Sequence, residues 1–345
     1  MPAGSAYALA PNQTVLVDRP SGNAALPYDG AGRGFVEAKG ISSNGCFVLF
    51  VSDSDPLFDG DDNSARNIFR LSRCGTPGRT LVNTSDTGVP AEFGTQNTTA
   101  SISSDGTRVA FTSNSKMLEP ESDGRDEVYV KDLTTGALEL VSRGDGPTGA
   151  PVEQGAMGMI SADGQHVAFI ARGVVGTDNV NGVADQYDTY QRSMPDNTTH
   201  MVSVTYPGEL AGGGTGFVQP GISHDGKIVS FYNATQLTAD DTDLGGDAYV
   251  RQGLNGGTEV TRLVSFSGGG QVAGGDESFG RTDVSDQGAY VAWTHRRYQR
   301  ESGPLRAHVL GADDDPDDRR RLQRRHRRRV GDRRRLARGL RSRHA

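Results

Sequence analysis

A chain of 345 residues with 47 glycines and only 7% aromatic residues is long enough to bury a large core, and its composition suits many short strands and turns rather than helices. It contains no run of about 18 apolar residues that would span a bilayer and no apolar signal-peptide core behind Met1. Charge is uneven: residues 1–312 carry 22 Lys and Arg against 37 Asp and Glu, whereas 313–345 carry 14 Arg against six Asp, and so acidic a body argues against a nucleic-acid platform.

In chain order, the first strands are SAYALA (5–10) and TVLVDR (14–19), separated by Pro11-Asn12. They match the third and fourth strands of a four-stranded unit whose complete copies follow at about 35–83, 97–143, 155–205 and 216–265. The clearest copy is ISSDGTRVAFTSNS (102–115) followed by DEVYVKDLTTGALELVSR (126–143). A first strand ends at Ile102, Asp105-Gly106 turns the chain, and Val109, Phe111 and Ser113 alternate on the return, which is hairpin chemistry. Val128-Tyr129-Val130 forms a third strand, Thr135-Gly136 turns again, and Leu138–Val141 closes an antiparallel meander. The segment 279–295, FGRTDVS and GAYVAWTH, supplies a first and second strand only.

The period supports this reading. Gly45, Gly106, Gly164, Gly226 and Gly288 hold the same turn position at intervals of 61, 58, 62 and 62 residues. An aromatic third strand keeps step as Ile68-Phe69, Val128-Tyr129, Thr189-Tyr190 and Ala248-Tyr249, each preceded by Asn67, Glu127, Asp188 or Asp247.

At these residues the chain resembles the TolB-type β-propeller repeat family, a WD-repeat-like class marked by an S-x-D-G turn, a V-A-F strand and a D-V-Y-V-x-D strand, over roughly residues 6–295. The resemblance implies an all-β propeller of four-stranded antiparallel blades filling residues 1–311. In that family the propeller is usually a non-catalytic binding platform, often in secreted or periplasmic bacterial proteins, and sometimes an accessory domain of a peptidase; for this chain a monomer with a protein or polysaccharide partner is expected. Two closures stay open. The half blades 5–19 and 279–295 complete one another in a five-bladed ring, which removes two exposed edges, or AHVLGADDD (307–315) is a degraded third strand of a truncated six-bladed form.

Chemistry is sparse. Cys46 opens a second strand and Cys74 ends a third, opposite one another in an antiparallel hairpin, so they are expected as a disulfide or as two unrelated buried thiols; a bridge favours an oxidising compartment. The loops between second and third strands gather oxygen ligands, including Asp59, Asp61, Asp62, Asp123, Asp178, Asp185, Asp240, Asp241 and Asp243. These loops, and the links between blades, are expected on one face, where a cation such as Ca2+ or a basic partner would dock. Their spacing reproduces no calcium-loop pattern, so turn chemistry explains the same residues. No G-x-S-x-G, H-E-x-x-H, P-loop or C-x-x-C occurs, and a binding module is expected. The alternative is a propeller enzyme, a polysaccharide lyase or lactonase, with a metal site at the axial mouth. The Arg-rich segment 312–345 is expected to be disordered, and its abrupt composition also fits out-of-frame translation.

Overall fold

The computed structural model describes residues 39–52, 66–76, 78–91, 99–116, 118, 124–173, 186–206, 214–242, 245–265, 278–296 and 306–309. Contacts divide the chain into Met1–His308 and Val309–Ala345. The strands expected at 5–19 and the tail from 312 lie outside the described residues.

Every regular element among the described residues is a strand, and the strands form five antiparallel sheets in chain order. The first holds β1 (Phe47–Ser52), β2 (Asn67–Ser72) and β3 (Gly78–Leu81), with a bridge from Ile41 to Val48 where an inner strand would stand. The second holds β4 (Ala100–Ile102), β5 (Arg108–Ser113), β6 (Glu127–Asp132) and β7 (Leu138–Leu140). The third holds β8 (Gln154–Ile160), β9 (His166–Arg172), β10 (Asp188–Ser193) and β11 (Thr198–Met201). The fourth holds β12 (Gly221–Ile222), β13 (Ile228–Asn233), β14 (Asp247–Gln252) and β15 (Val260–Leu263). The last holds β16 (Ser278–Val284), β17 (Tyr290–Arg296) and β18 (Arg306–Val309). The segment expected as a two-strand half blade at 279–295 therefore has a third strand, formed by residues at the start of the AHVL stretch. Five sequential meanders make this an all-β propeller of about five blades.

Period-two alternation explains the packing. Val109 and Phe111 of the second blade cluster with Leu49 and Val51 of the first. Val167 and Phe169 cluster with Ala110, Val128 and Val130 of the second, and Val229 and Phe231 with Met159 and Ala168 of the third. Each second-strand pair thus packs on the blade before it. Within blades, the residues paired across second and third strands stack their rings: Phe50 on Phe69 at 5.3 Å, Phe111 on Tyr129 at 5.7 Å, and Phe169 on Tyr190 and Phe231 on Tyr249 at 5.9 Å.

The recurrent turn follows from side-chain chemistry. In S-x-D-G the serine hydroxyl donates to the aspartate, as Ser103 to Asp105 (2.6 Å), Ser161 to Asp163 (2.5 Å) and Ser223 to Asp225 (3.1 Å). The same hydroxyl accepts the N–H that opens the next strand, from Arg108, His166 and Ile228. Burial alone would raise the Asp105 carboxyl, but donation from Ser103 and Thr107 outweighs it and holds the group below the usual carboxylate range.

These turns are joined blade to blade. Ser43 N–H donates to Ser104 O (3.1 Å), Ser104 N–H to Ala162 O (2.8 Å), Asp163 N–H to His224 O (3.0 Å) and His224 N–H to Asp286 O (2.9 Å). Arg70 adds a bond to Gly106 O (2.7 Å) and Arg108 one to Gly164 O (3.0 Å), while Gln191 donates to Gly226 O. Nearer the axis, Lys39 O accepts Ile102 N–H (3.0 Å) and its ammonium donates to Ile222 O. One residue therefore engages the inner strands of the second and fourth blades. Burial pushes the Lys39 ammonium down, opposed by Asp283 and Asp286.

Two of the described links between blades, those after β3 and β7, depart from the expectation that they crowd the loop face, whereas Tyr206, after β11, bridges Thr238 in the β13–β14 loop. After β3, residues 84–90 form a short hairpin, bridged Thr84 to Pro90, and Asp86 accepts Leu138 N–H (2.5 Å) at the start of β7. After β7, a hairpin bridged Arg143 to Pro151 lets Asp145 accept Thr199 N–H (2.7 Å) of β11. Each of these two links thus covers the outer edge strand of the blade that follows, which satisfies donors an exposed edge would leave open. Buried cations on two of the third strands, β6 and β10, secure the arrangement: Lys131 donates to Thr84 O and Ser85 O, and Arg192 to Gly144 O and Gly146 O.

Candidate functional site

The face opposite the S-x-D-G turns, from which the second-to-third-strand loops emerge, is underlain by a repeated buried pair. Ser142 donates to Glu127, Ser203 to Asp188 (3.1 Å) and Ser265 to Asp247 (2.5 Å), and Asn83 to Asn67 (2.8 Å) in the first blade. The serine of each pair also accepts the next N–H of the third strand, from Val128, Thr189 and Ala248. The polar residue that precedes every aromatic third strand is therefore a fastener between third and fourth strands, and these carboxylates are at most 3% exposed.

Above this layer a strip of side chains crosses three blades. Arg125, just before β6, reaches Glu153, just before β8, with Nη1 3.0 Å from Oε1. Glu153 N–H donates to Arg172 O (3.2 Å) at the end of β9. The Arg172 guanidinium lies 5.7 Å from the centre of the Tyr187 ring, a cation–π contact. Tyr187 precedes β10 and meets Phe217 of the fourth blade edge-on, with centroids 5.3 Å apart. Thr215 donates backbone and hydroxyl bonds to Tyr187 O (2.9 and 2.8 Å), which fixes the two aromatic segments together. Burial raises the Tyr187 phenol, with Arg172 opposing and Asp126 and Glu153 reinforcing. Phe217 is 38% exposed, and the Arg125 and Glu153 side chains 51% and 39%.

Of the acids singled out from the sequence, Asp59, Asp61, Asp62, Asp123, Asp178, Asp185 and Asp243 lie outside the described residues. Asp240 is exposed, whereas its neighbour Asp241 is buried and accepts the Tyr249 hydroxyl. Burial first, and this bond second, push the Tyr249 phenol far above its ordinary value. Asp241 is thus a framework residue of the fourth blade, a role its place in an acidic loop did not disclose. Among the described residues no group of three or more His, Cys, Asp or Glu is placed to hold a metal. Cys46 and Cys74 form a disulfide with Cα atoms 5.0 Å apart, at the turn end of the first blade.

The strip residues escaped the sequence reading because they sit outside the repeated positions. One signal was available: Tyr187 stands where the other copies have Arg66, Asp126 and Gly246, so an aromatic enters a loop-side position with no such counterpart.

No family model matches the chain, and no curated protein matches its sequence. Similar solved structures include TolB from Acinetobacter baumannii, at 16% identity and TM-score 0.44 over 80% of this chain and 52% of that one. The β-propeller domain of the Trilobed protease from Pyrococcus furiosus, with its open velcro topology, is 12% identical at TM-score 0.36, over 78% and 80% of the two chains. A gluconolactonase from Xanthomonas campestris is 11% identical at TM-score 0.37, over 82% and 81%. The chain thus spans about half the length of the TolB structure.

Proposed function

We propose that this chain is a non-catalytic binding module that presents its loop face to a protein or polysaccharide partner. The observation that carries this reading is the Arg125–Glu153–Arg172–Tyr187–Phe217 strip. Aromatic and arginine side chains, partly exposed and held by one another on a rigid scaffold, are the residue types that dominate recognition surfaces. The Cys46–Cys74 bridge supports an oxidising, extracytoplasmic setting for that encounter. Incubating the purified protein with peptide, lactone and polysaccharide panels tests the reading. Binding without turnover is expected, weakened by Phe217→Ala and by Arg125→Ala; product formed above the rate of the heat-inactivated protein would overturn it.

A further inference from the structure

We infer that the strip takes a neutral, linear polysaccharide; this rests on the loop-face binding reading above and names its ligand. Three features of the strip point to that chemistry.

The first is charge balance. Arg125 is paired with Glu153, Arg172 lies over the Tyr187 ring, and Asp126 and Glu153 both act on the Tyr187 phenol. Counted within the strip, the two guanidinium groups and the two carboxylates of Asp126 and Glu153 sum to no net charge. A charged partner is steered by an opposite field, and the strip's own described side chains supply none to a cationic or an anionic chain. A ligand rich in hydroxyls, which donate and accept in turn, suits a surface where N–H donors and carboxylate acceptors alternate.

The second is the exposed ring. Phe217 is 38% exposed and packs edge-on to Tyr187, so the pair offers apolar carbon that the apolar C–H face of a sugar ring can cover. The third is the layout. Arg125 comes from the second blade, Glu153, Arg172 and Tyr187 from the third, and Phe217 from the fourth. Successive side chains therefore meet successive residues of an extended polymer. An extended peptide commonly binds by pairing with a free strand edge. The strip lies over strand ends, and the outer edges of β7 and β11 are already covered by the linking hairpins.

Native gels containing laminarin, xylan, hydroxyethyl cellulose or soluble starch, run beside gels containing polygalacturonate and beside titrations with an extended-peptide library, test the inference. Retardation by at least one neutral polymer is expected, with affinity reduced at least tenfold by Phe217→Ala and by Arg125→Ala at unchanged melting temperature. Absence of retardation in every neutral gel would overturn it. Binding of polygalacturonate or peptide through Phe217 and Arg125, without neutral-polymer binding, would overturn the ligand class and leave the binding face standing. Retardation that survives both substitutions would overturn the strip and the face together.

Discussion

The two ends of the blades spend their polar groups differently. At the turn end, serine hydroxyls, aspartates and main-chain amides are bonded within each turn and then to the next, from Ser43 through Ser104, Asp163 and His224 to Asp286. At the loop end the buried pairs of Glu127, Asp188 and Asp247 fasten the strands from beneath. Above them, Arg125, Glu153 and Phe217 remain partly open to solvent. One end is therefore frame, and the other is frame below and surface above. Substitutions at the turn end should change stability, and those in the upper layer of the loop end should change recognition alone.

The largest effect is expected at the first blade, where the Cys46–Cys74 bridge closes a sequence separation of 28 residues. In the loop-entropy picture, losing a cross-link of that span costs about 3.5 kcal/mol. Denaturant unfolding of the Cys46→Ala, Cys74→Ala double variant should show that loss; a difference under about 1 kcal/mol would mean that the bridge adds little beyond the hydrogen bonds of the turn.

Next come the turn glycines, which separate backbone conformation from packing. Gly106 has φ +77°, and an added Cβ would lie 2.1 Å from the Phe47 ring of the preceding blade, whereas Gly136 has φ +81° with nothing within 4 Å. Replacement by Ala should cost about 1–2 kcal/mol at Gly136, from the left-handed backbone alone. At Gly106 the overlap adds roughly 1–3 kcal/mol more. Equal losses would show that the close approach between blades is not tight.

The loop end holds its own contrast in two adjacent acids. Asp241 is buried against Tyr249, so Asp241→Asn should destabilise by about 1–3 kcal/mol as a buried charge-assisted bond is weakened. Asp240→Asn, at an exposed position, should lie within about 0.5 kcal/mol of the parent. Thermal unfolding of both variants reads the difference, and a neutral Asp241→Asn would return that residue to the surface set.

Much of this was legible in the sequence, for reasons that particular residues make plain. The turn glycine, the Val and Phe alternation and the aromatic third strand are local patterns that recur at a fixed period, so Val109, Phe111, Val167 and Phe169 fall on second strands as expected. The polar residue ahead of each third strand was visible as a recurrence, but its partner stands 15 residues on at Ser142 or Ser203 and 18 on at Ser265, so its role was not. The bulges in β8 and β16 leave no periodic mark. The strip was hidden because its contacts run between blades, such as Tyr187 to Phe217, and no local pattern encodes them. Likewise Asp240 and Asp241 look alike in sequence, and only the fold turns one of them inward.

The smallest effect, and the sharpest probe of the joined turns, concerns His166. It begins β9 and sits where a Cβ on Gly226 of the next blade would touch its ring at 2.5 Å. Burial pushes its imidazole below the ordinary value, against the opposing pull of Asp163, Asp196 and Asp225. Because the folded chain resists protonation there, the unfolded chain takes up its proton first as pH falls. The stabilisation from a neutral His166 is thus fully present above the unfolded histidine value of about 6.5 and is lost as pH drops from there towards the depressed folded value. Asp105 and Asp225 act in the same direction but at lower pH, since their folded carboxyls are held below the ordinary range and lose their contribution only under more acidic conditions. Between pH 7 and 5 the His166 contribution to the unfolding free energy should therefore fall, against the opposite contribution of Glu139, whose carboxyl burial raises. In His166→Gln the measured unfolding free energy should then fall less, or rise more, on acidification than in the parent. If the slope is the same in both proteins, the imidazole is hydrated and the contact between the third and fourth blades at Gly226 is looser than its geometry indicates.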